Sequence, residues 1–435
     1  MKTNLKLISL LLIITWASTN LSAQDWPQFL GPERNCISPQ KNLLRSWPES
    51  GPEVLWKVPV GIGYGGPIVK DGKIYILDRD DKVGDIMRCF ELNSGEELWK
   101  FAYDAPGSFP FPGSRSIPIL DGDYVYSCGA IGDLYCIDIN THQPVWHKNV
   151  WKDFGGGNLP TWAITQNPLV YGDMLITAAQ TSSTGVVAYD KLTGEVKWTT
   201  ESKGATGYAS PELVTIAGEK QIVMVSAGTG DNGRVYGIDP NTGNILWEYA
   251  NFQCRIPSTG VMDIGNDKVF VTGGYNAGSA MLKIVKNVDG SYQVNELYTT
   301  PDFGVHTLPP VLYDGYFYGQ YSTNERRDGL VCMSLDGEIK WATKRSPQFN
   351  KGSLILADGL MLATDGFKTL YLLDPNPDEF KVISSAEMLN QGGVDNSNGM
   401  TNFGGPTQNW APMALAEGKL LIRDQGTMYC LKVAE

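Results

Sequence analysis

Four basic side chains lie at, or just before, the start of a repeated phrase of this sequence: Arg115, Arg255, His306 and Lys351. Cations of this kind bind carboxylates, and aromatic rings beside them stack on planar or sugar-like ligands. His306 is the one candidate histidine base, because the other two of the chain's three histidines fall in or directly after a repeated phrase. So few histidines, so dispersed, exclude a multi-histidine metal site. The next question is which elements bring these side chains together.

The repeated phrase consists of an acid, a Thr-Gly turn and a tryptophan at fixed spacing. Its copies are CFELNSGEELW (89–99), CIDINTHQPVW (136–146), AYDKLTGEVKW (188–198), GIDPNTGNILW (237–247) and the shorter CMSLDGEIKW (332–341). The acid can accept hydrogen bonds from turn amides, glycine tolerates positive φ, and tryptophan offers a large flat surface. The small first residue is expected to let the next unit approach. We therefore expect Asp239, Thr242 and Trp247 to contribute to stability rather than to binding.

A second phrase alternates with the first and occurs eight times, as in GGPIVKDGKIYIL and WAPMALAEGKLLI. Its turn signals, such as Asp-Gly and Gly-Asp, divide each unit into four short antiparallel strands. Four-stranded units repeated radially are the blades of a β-propeller. The last unit lacks a fourth strand, which EVLWKVPV (53–60) is predicted to supply. The sequence thus predicts an all-β fold, an eight-bladed propeller over residues 53–435 whose ring is closed by an N-terminal strand.

The tryptophan-docking phrase resembles that of the pyrroloquinoline-quinone-like propellers, over roughly residues 53–435. That superfamily includes quinoprotein alcohol dehydrogenases and an outer-membrane assembly lipoprotein, so the resemblance implies the fold but not one activity. For a dehydrogenase it implies pyrroloquinoline quinone (PQQ) with calcium, and Arg115, Trp162, Lys351 and Trp410 could stand in for the quinone-binding groups. The acid-and-amide calcium set and the adjacent cysteine pair of those enzymes are not visible here. The sequence makes no cofactor certain.

The loops that enter the innermost strands of a propeller crowd around one mouth of its channel. The candidate ligand-binding residues in these loops are Tyr64, Arg115, Trp162, Tyr208, Arg255, His306, Lys351, Asn409 and Trp410. They predict a site for a small anionic or carbohydrate ligand, or a scaffold for another envelope protein. The alternative is a PQQ-dependent dehydrogenase of alcohols or sugars. A third reading is a lyase on uronate-containing polysaccharide, with His306 as its base. Whether the protein is an enzyme stays open.

The N-terminal residues indicate export. Residues 1–23 have a basic start, a short apolar run and small residues before Gln24, which is typical of a signal peptide. We therefore predict a periplasmic or secreted protein, and no later segment is apolar enough to span a membrane. An extension over 24–52 is expected to pack on the side or base of the ring through Trp26 and Phe29. A formal net charge of −12 argues against nucleic-acid partners.

Two further features concern the cysteines and one long loop. Four of the seven cysteines occupy the small first position of a repeat and are expected to be buried packing residues. Cys128 and Cys136 flank a predicted hairpin turn and form the only disulfide pair worth testing. The loop over 390–410, rich in glycine and asparagine, is either a flap over the mouth or an irregular connection.

Overall fold

A computed structural model of the chain describes residues 25–230, 232–390 and 408–435, and these residues form eight antiparallel four-stranded blades. The predicted eight-bladed, all-β propeller is confirmed. In chain order the strands are β1 (Ile37–Ser38), β2 (Val54–Pro59), β3 (Ile68–Lys70), β4 (Lys73–Asp80), β5 (Gly84–Glu91), β6 (Glu97–Ala102), β7 (Ile119–Asp121), β8 (Tyr124–Cys128), β9 (Asp133–Asp138), β10 (Gln143–Asn149), β11 (Leu169–Tyr171), β12 (Met174–Ala178), β13 (Thr184–Asp190), β14 (Val196–Glu201), β15 (Glu212–Ile216), β16 (Glu219–Val225), β17 (Val235–Ile238), β18 (Ile245–Tyr249), β19 (Met262–Gly265), β20 (Lys268–Gly273), β21 (Gly278–Lys286), β22 (Tyr292–Thr300), β23 (Val311–Tyr313), β24 (Tyr316–Ser322), β25 (Arg327–Ser334), β26 (Ile339–Ala342), β27 (Leu354–Ala357), β28 (Leu360–Thr364), β29 (Thr369–Asp374), β30 (Lys381–Glu387), β31 (Ala414–Ala416), β32 (Lys419–Arg423) and β33 (Thr427–Lys432). A short 3-10 turn occupies Lys152–Phe154.

Each blade uses its four strands in the order of the chain, from β3–β6 in blade 1 to β27–β30 in blade 7. The first strands of neighbouring blades contact each other, as β3 does β31 and β7 does β11, so these strands line the channel. The middle strands are covered by neighbouring blades on both faces, and β12 (MLITA) is accordingly buried at every position. In the outermost strands exposed and buried residues alternate, and in β14 (VKWTTE) only Trp198 and Thr200 are buried.

Blade 8 closes the ring with strands from both ends of the described chain. Its sheet has the order β2-β33-β32-β31, and Trp56 of β2 lies opposite Cys430 of β33. The predicted closure by residues 53–60 is confirmed.

The repeated phrase joins neighbouring blades, as expected. The indole nitrogen of Trp198 donates to the carbonyl of Pro240 in the docking turn of the next blade, at 3.0 Å. Gly243 has a φ of 75°, and a Cβ there would lie 2.6 Å from the Trp198 ring. In the same turn Asp239 accepts hydrogen bonds from the amide of Asn241 and the hydroxyl of Thr242, both at 2.9 Å. Trp56, Trp146 and Trp341 bind the next turn in the same way, at Leu92, Lys191 and Asn376.

Two copies depart from this rule. His142 stands where other copies have glycine, and its ring stacks on Trp99 with centroids 5.0 Å apart. Trp247 instead turns over its own blade, where its indole nitrogen donates to Gln221 at 2.8 Å and a Cβ on Gly237 would clash with it. Gly237 lies directly opposite Trp247 on the neighbouring strand. In this copy the small first residue, Gly237, makes room for the tryptophan of its own blade and not for the next blade.

Residues 26–38 of the N-terminal extension lie inside the channel, whereas Leu43 forms a bridge with Ala434 and the Trp47 amide donates to Ser384 of β30, the outermost strand of blade 7. Trp26 forms an antiparallel bridge with Val69 of β3, and β1 pairs in parallel with β27 of blade 7. Phe29 is buried in a cluster with residues of innermost strands, such as Ile68 and Leu356. The apolar residues of 26–38 therefore fill the channel that the ring encloses.

The seven cysteines all lie in the described residues and are free and buried. The disulfide that was considered is not formed, because Cys128 lies opposite Leu134 and Cys136 lies opposite Tyr126. The predicted signal peptide and the greater part of the predicted flap, 391–407, fall outside the described residues. In the part of the chain that is described, no helix is long and apolar enough to cross a membrane.

Candidate functional site

One end of the channel, which we call the mouth, is formed by the loops that enter the innermost strands and by the loops between the second and third strands. Antiparallel order brings both sets to the same end of every blade. All nine predicted residues lie in the first set. Backbone hydrogen bonds join neighbouring loops, from Tyr64 to the carbonyl of Ser114 at 2.7 Å and from Tyr208 to that of Pro257 at 2.8 Å.

Arg115 is held at the mouth by its own loop. Its guanidinium donates to the carbonyl of Gly113 at 2.8 Å and to those of Pro110 and Phe111. The centre of the guanidinium lies 5.7 Å from the centroid of the Tyr64 ring. It forms no ion pair with a carboxylate of the described residues, and burial lowers the pKa of Arg115 to about 10. A cation satisfied only by carbonyls retains its charge and attracts an anion.

Lys351 and Trp410 form the opposite end of the same group. The ammonium nitrogen of Lys351 lies 4.1 Å from the centroid of the Trp410 ring, a cation–π contact. Burial lowers the pKa of Lys351 to about 8, and no carboxylate of the described residues offsets this effect. Trp410 also lies 5.5 Å from Tyr64 and 5.8 Å from Phe111, centroid to centroid. The result is an aromatic row with Lys351 at one end and Arg115 at the other.

A second group at the mouth contains His306, Tyr275 and Arg255. The His306 ring packs edge-on against Tyr275 with centroids 4.6 Å apart, and the Arg255 guanidinium lies 5.7 Å from the same tyrosine ring. His306 is only 7 % exposed, and its Nδ1 has no hydrogen-bond partner among the described residues. Burial, together with the positive charge of Lys351, lowers the pKa of His306 well below its ordinary value, so the ring is neutral at pH 7.

The remaining predicted residues have more local contacts. Trp162 and Tyr208 pack edge to face with centroids 5.4 Å apart. Asn409 is 2 % exposed, and its side-chain amide donates to the carbonyls of Phe367 and Asn390. These bonds give Asn409 a structural role at the junction of blades 7 and 8.

Sequence reasoning missed Arg423, at the end of β32. It is 2 % exposed and donates to the carbonyls of Gly61 at 2.6 Å and Asp424 at 3.0 Å. Its second terminal nitrogen has no partner in the described part of the chain, and burial lowers its pKa. The sequence did contain a signal for an arginine at such a place, because another arginine, Arg79, stands near the end of the second strand of blade 1. That arginine, however, is paired with the buried Asp85 at 2.6 Å.

The basic groups at the mouth share one electrostatic property. Among the described residues, the arginine, lysine and histidine side chains with a lowered pKa are Arg115, His306, Lys351 and Arg423. Desolvation is the largest cause in each case. The mouth therefore concentrates desolvated basic groups in a protein whose net charge is −12, although Asp85 offsets part of the charge of Arg115, and Asp78 and Asp424 part of that of Arg423.

The extension forms the floor beneath these groups. Arg34 reaches Glu212, at the start of the innermost strand of blade 4, with nitrogen–oxygen distances of 2.8 and 3.0 Å. Both side chains are less than 10 % exposed. Cys36 lies beside Lys351 around a cavity with room for about one water. A ligand would therefore enter from the mouth side.

A calcium–quinone centre fits these residues only in part. The aromatic row and its two cations suit a planar polycarboxylate such as PQQ. No group of three or more His, Cys, Asp or Glu in the described residues is arranged to hold a metal ion, however. The buried acids near the mouth are already engaged, since Asp85 pairs with Arg79 and Asp78 with Arg88 at 2.7 Å. We therefore derive no reaction step through a metal-bound quinone.

Comparison with solved structures finds the same fold at low sequence identity. BamB from Moraxella catarrhalis has a TM-score of 0.58 and 12 % identity, over 88 % of this chain and 98 % of that one. The quinohemoprotein alcohol dehydrogenase from Comamonas testosteroni has a TM-score of 0.63 and 13 % identity, over 94 % and 80 %. A europium-containing methanol dehydrogenase has a TM-score of 0.62 and 11 % identity, over 94 % and 98 %.

At the sequence level, comparison with curated proteins gave no match. A family model described as outer membrane protein assembly factor BamB matches residues 82–343, more than half of the chain. This agrees with the docking phrases and with the propeller that they build. The chain belongs to this BamB family of pyrroloquinoline-quinone-like β-propellers.

Proposed function

We propose that this protein is a periplasmic or secreted binding protein that takes a small anionic ligand, such as an acidic sugar or a planar carboxylate, at the mouth. The observation that carries the proposal is the desolvated charge of Arg115 and Lys351, neither of which forms an ion pair within the described residues, although Asp85 offsets part of the charge of Arg115. A buried cation without a counter-ion costs free energy, and a bound anion removes that cost.

The aromatic row favours a flat ligand with acidic groups. Trp410 and Tyr64 lie between the two cations, and rings of this kind stack on sugars and on planar heterocycles. A ligand lying along the row would contact Lys351 with one acidic group and Arg115 with another. Arg255, which is exposed and also lacks an ion pair in the described chain, would add charge at the second group.

A PQQ-dependent dehydrogenase of alcohols or sugars is the second candidate. The aromatic row with a cation at each end favours it, and two of the similar folds are dehydrogenases of alcohols or methanol. The family description supports a further role as a scaffold for an envelope protein. The dehydrogenase can be separated from simple anion binding by the choice of ligands in one experiment.

The experiment is titration of the mature chain by calorimetry and tryptophan fluorescence. The ligands are galacturonate oligomers, pyridine-2,6-dicarboxylate, and PQQ with and without Ca²⁺. We expect an anion to bind, and Lys351→Met to weaken it about tenfold because a desolvated charge contact is lost. The matched control is Lys220→Met, which removes an exposed lysine from β16, near the hairpin turn at the opposite end of the channel.

Two results would contradict the proposal: no binding by any of these anions, or equal affinity in Lys351→Met and Lys220→Met. Binding confined to PQQ with Ca²⁺, followed by reduction of a dye in the presence of an alcohol, would favour the dehydrogenase instead.

A further inference from the structure

We propose that Lys351 is a reactive amine that captures carbonyl compounds carrying a carboxylate, such as 2-oxo acids and aldehydic acids, as an imine at the mouth. The selection of a carboxylate rests on the proposed anion site, whereas the reactivity of the amine does not. Three features of the structure carry the inference: a fixed backbone, an amine without a carboxylate partner, and a neutral imidazole nearby.

The backbone that carries Lys351 is tightly fixed. The amide of Gly352 donates to the side-chain oxygen of Gln320 at 2.8 Å, which ties this loop to blade 6. A Cβ on Gly352 would clash with the carbonyl of Thr364, and one on Gly366 would lie 2.9 Å from the Lys351 amide nitrogen. Two glycines therefore let the loop lie directly against the end of β28, and the Lys351 side chain starts from a defined position.

The amine of Lys351 is engaged only by an aromatic face. Its nitrogen lies over the Trp410 ring, and it forms no ion pair with an acid of the described residues. The residue is partly exposed, so a small molecule can reach it from the mouth. A lysine amine is nucleophilic only when it is unprotonated, and removal from water favours that state.

His306 supplies a group that can carry a proton. Its ring is neutral, its Nδ1 has no partner among the described residues, and the next residue, Thr307, lines the same small cavity as Lys351. Imine formation needs such a group, because one proton must leave the attacking nitrogen and one must reach the departing oxygen. Arg115, at the far end of the aromatic row, adds to the positive charge that attracts a carboxylate to the mouth.

The chemistry balances without an oxidant. The amine nitrogen forms a bond to the carbonyl carbon, the carbonyl electron pair moves to oxygen, and a proton passes from nitrogen to that oxygen. The resulting carbinolamine loses its hydroxyl group and the remaining nitrogen proton as water, which leaves a carbon–nitrogen double bond to Lys351. The step is reversible, so the product is a captured ligand.

The test is reductive trapping on the intact mature protein. Glyoxylate and sodium cyanoborohydride are added at pH 7, hydride reduces any imine, and mass spectrometry of peptides compares labelling at Lys351 with that at the exposed Lys220. We expect Lys351 to be labelled roughly ten times faster, because more of its amine is unprotonated at this pH. Lys351→Arg keeps the cation at the ring and should remove the fast label.

Two comparisons separate this inference from the proposed function. Propanal has the carbonyl group but no carboxylate, and faster labelling of Lys351 by glyoxylate than by propanal supports anion selection. Equal enhancement with both aldehydes supports the reactive amine and counts against the anion site. Labelling of Lys351 no faster than that of Lys220 overturns the inference, whatever the anion titrations show.

Discussion

The two ends of the propeller differ in whether their charged side chains have partners. At the end with the docking turns, each acid is paired with groups of its own turn, and the amides of Leu192 and Thr193 both donate to Asp190 at 3.0 Å. These hydrogen bonds lower the pKa of Asp190. At the mouth, Arg115 and Lys351 are desolvated with no carboxylate in the described chain to pair with, and their pKa values are lowered because the charged form is disfavoured.

The difference separates architecture from function within a repeat protein. A feature that recurs in most blades must serve what the blades have in common, which is docking on the next blade. An unrepeated group that costs free energy where it lies needs another reason to be there. The mutations and pH changes described below test this separation between residues that build the ring and residues that serve the mouth.

Removal of a docking tryptophan should have the largest effect. Trp198 is 8 % exposed and packs on the turn of the next blade, so Trp198→Ala should lower the free energy of unfolding by about 3–5 kcal/mol. Ligand affinity at the mouth should not change. Urea unfolding followed by circular dichroism measures the effect, and the partly exposed Trp162→Ala is the control. An equal loss in both variants would mean that the mouth is also architecture.

The pH dependence of binding should sharpen the contrast. Because the pKa of Lys351 is about 8, its charge is lost above that value, and affinity for an anion should fall above pH 8 by about tenfold in total, the same loss that is expected for Lys351→Met. Stability should move the other way. The unfolded chain binds the Lys351 proton up to its ordinary pKa, so the free energy of unfolding should rise between pH 8 and about pH 10.

The measurement is calorimetric titration and urea unfolding across this pH range, with Lys351→Met alongside. The variant should lack both trends. If the wild-type protein keeps its affinity up to pH 10, Lys351 is not part of the anion site.

The smallest effect is expected where one docking turn departs from the pattern. His142→Gly restores the glycine of the other copies at a position with a φ of 61° but removes the ring that stacks on Trp99. Relief of backbone strain and loss of stacking oppose each other at about 1 kcal/mol each, so the net change should be under about 1 kcal/mol. Thermal unfolding checks this, and a loss near that of Trp198→Ala would show that His142 docks as a second anchor.

The sequence predicted the fold well because the same short-range signals recur in every blade. The docking phrase, the Asp-Gly hairpins and the spare strand before residue 60 are each readable locally, and the eight copies of the second phrase give the number of blades. Topology then assigns the loops to the mouth. The features that the sequence did not predict depend on contacts between residues that are far apart in the chain.

Three particular residues show this limit. Arg423 occurs once and stands at a strand end, so only its contact with Gly61, at the far end of the chain, reveals a buried cation. Trp247 has the docking phrase but turns back onto its own blade, where Gln221 offers an acceptor. Asn409 was expected to face a ligand, yet its amide nitrogen is held by the backbone of neighbouring loops. Each outcome depends on a partner that no local pattern specifies.

The closure of blade 8 has a consequence for how the chain folds. Strand β2 is made long before its partner β33, so a native pairing across nearly the whole chain is formed late. Until then seven blades have an open end, and the outer edge of β33 has no partner. Proteolysis that removes the residues before 60 would leave that edge free to pair with another molecule. The closed ring therefore depends on the pairing of the six-residue strand β2 with β33.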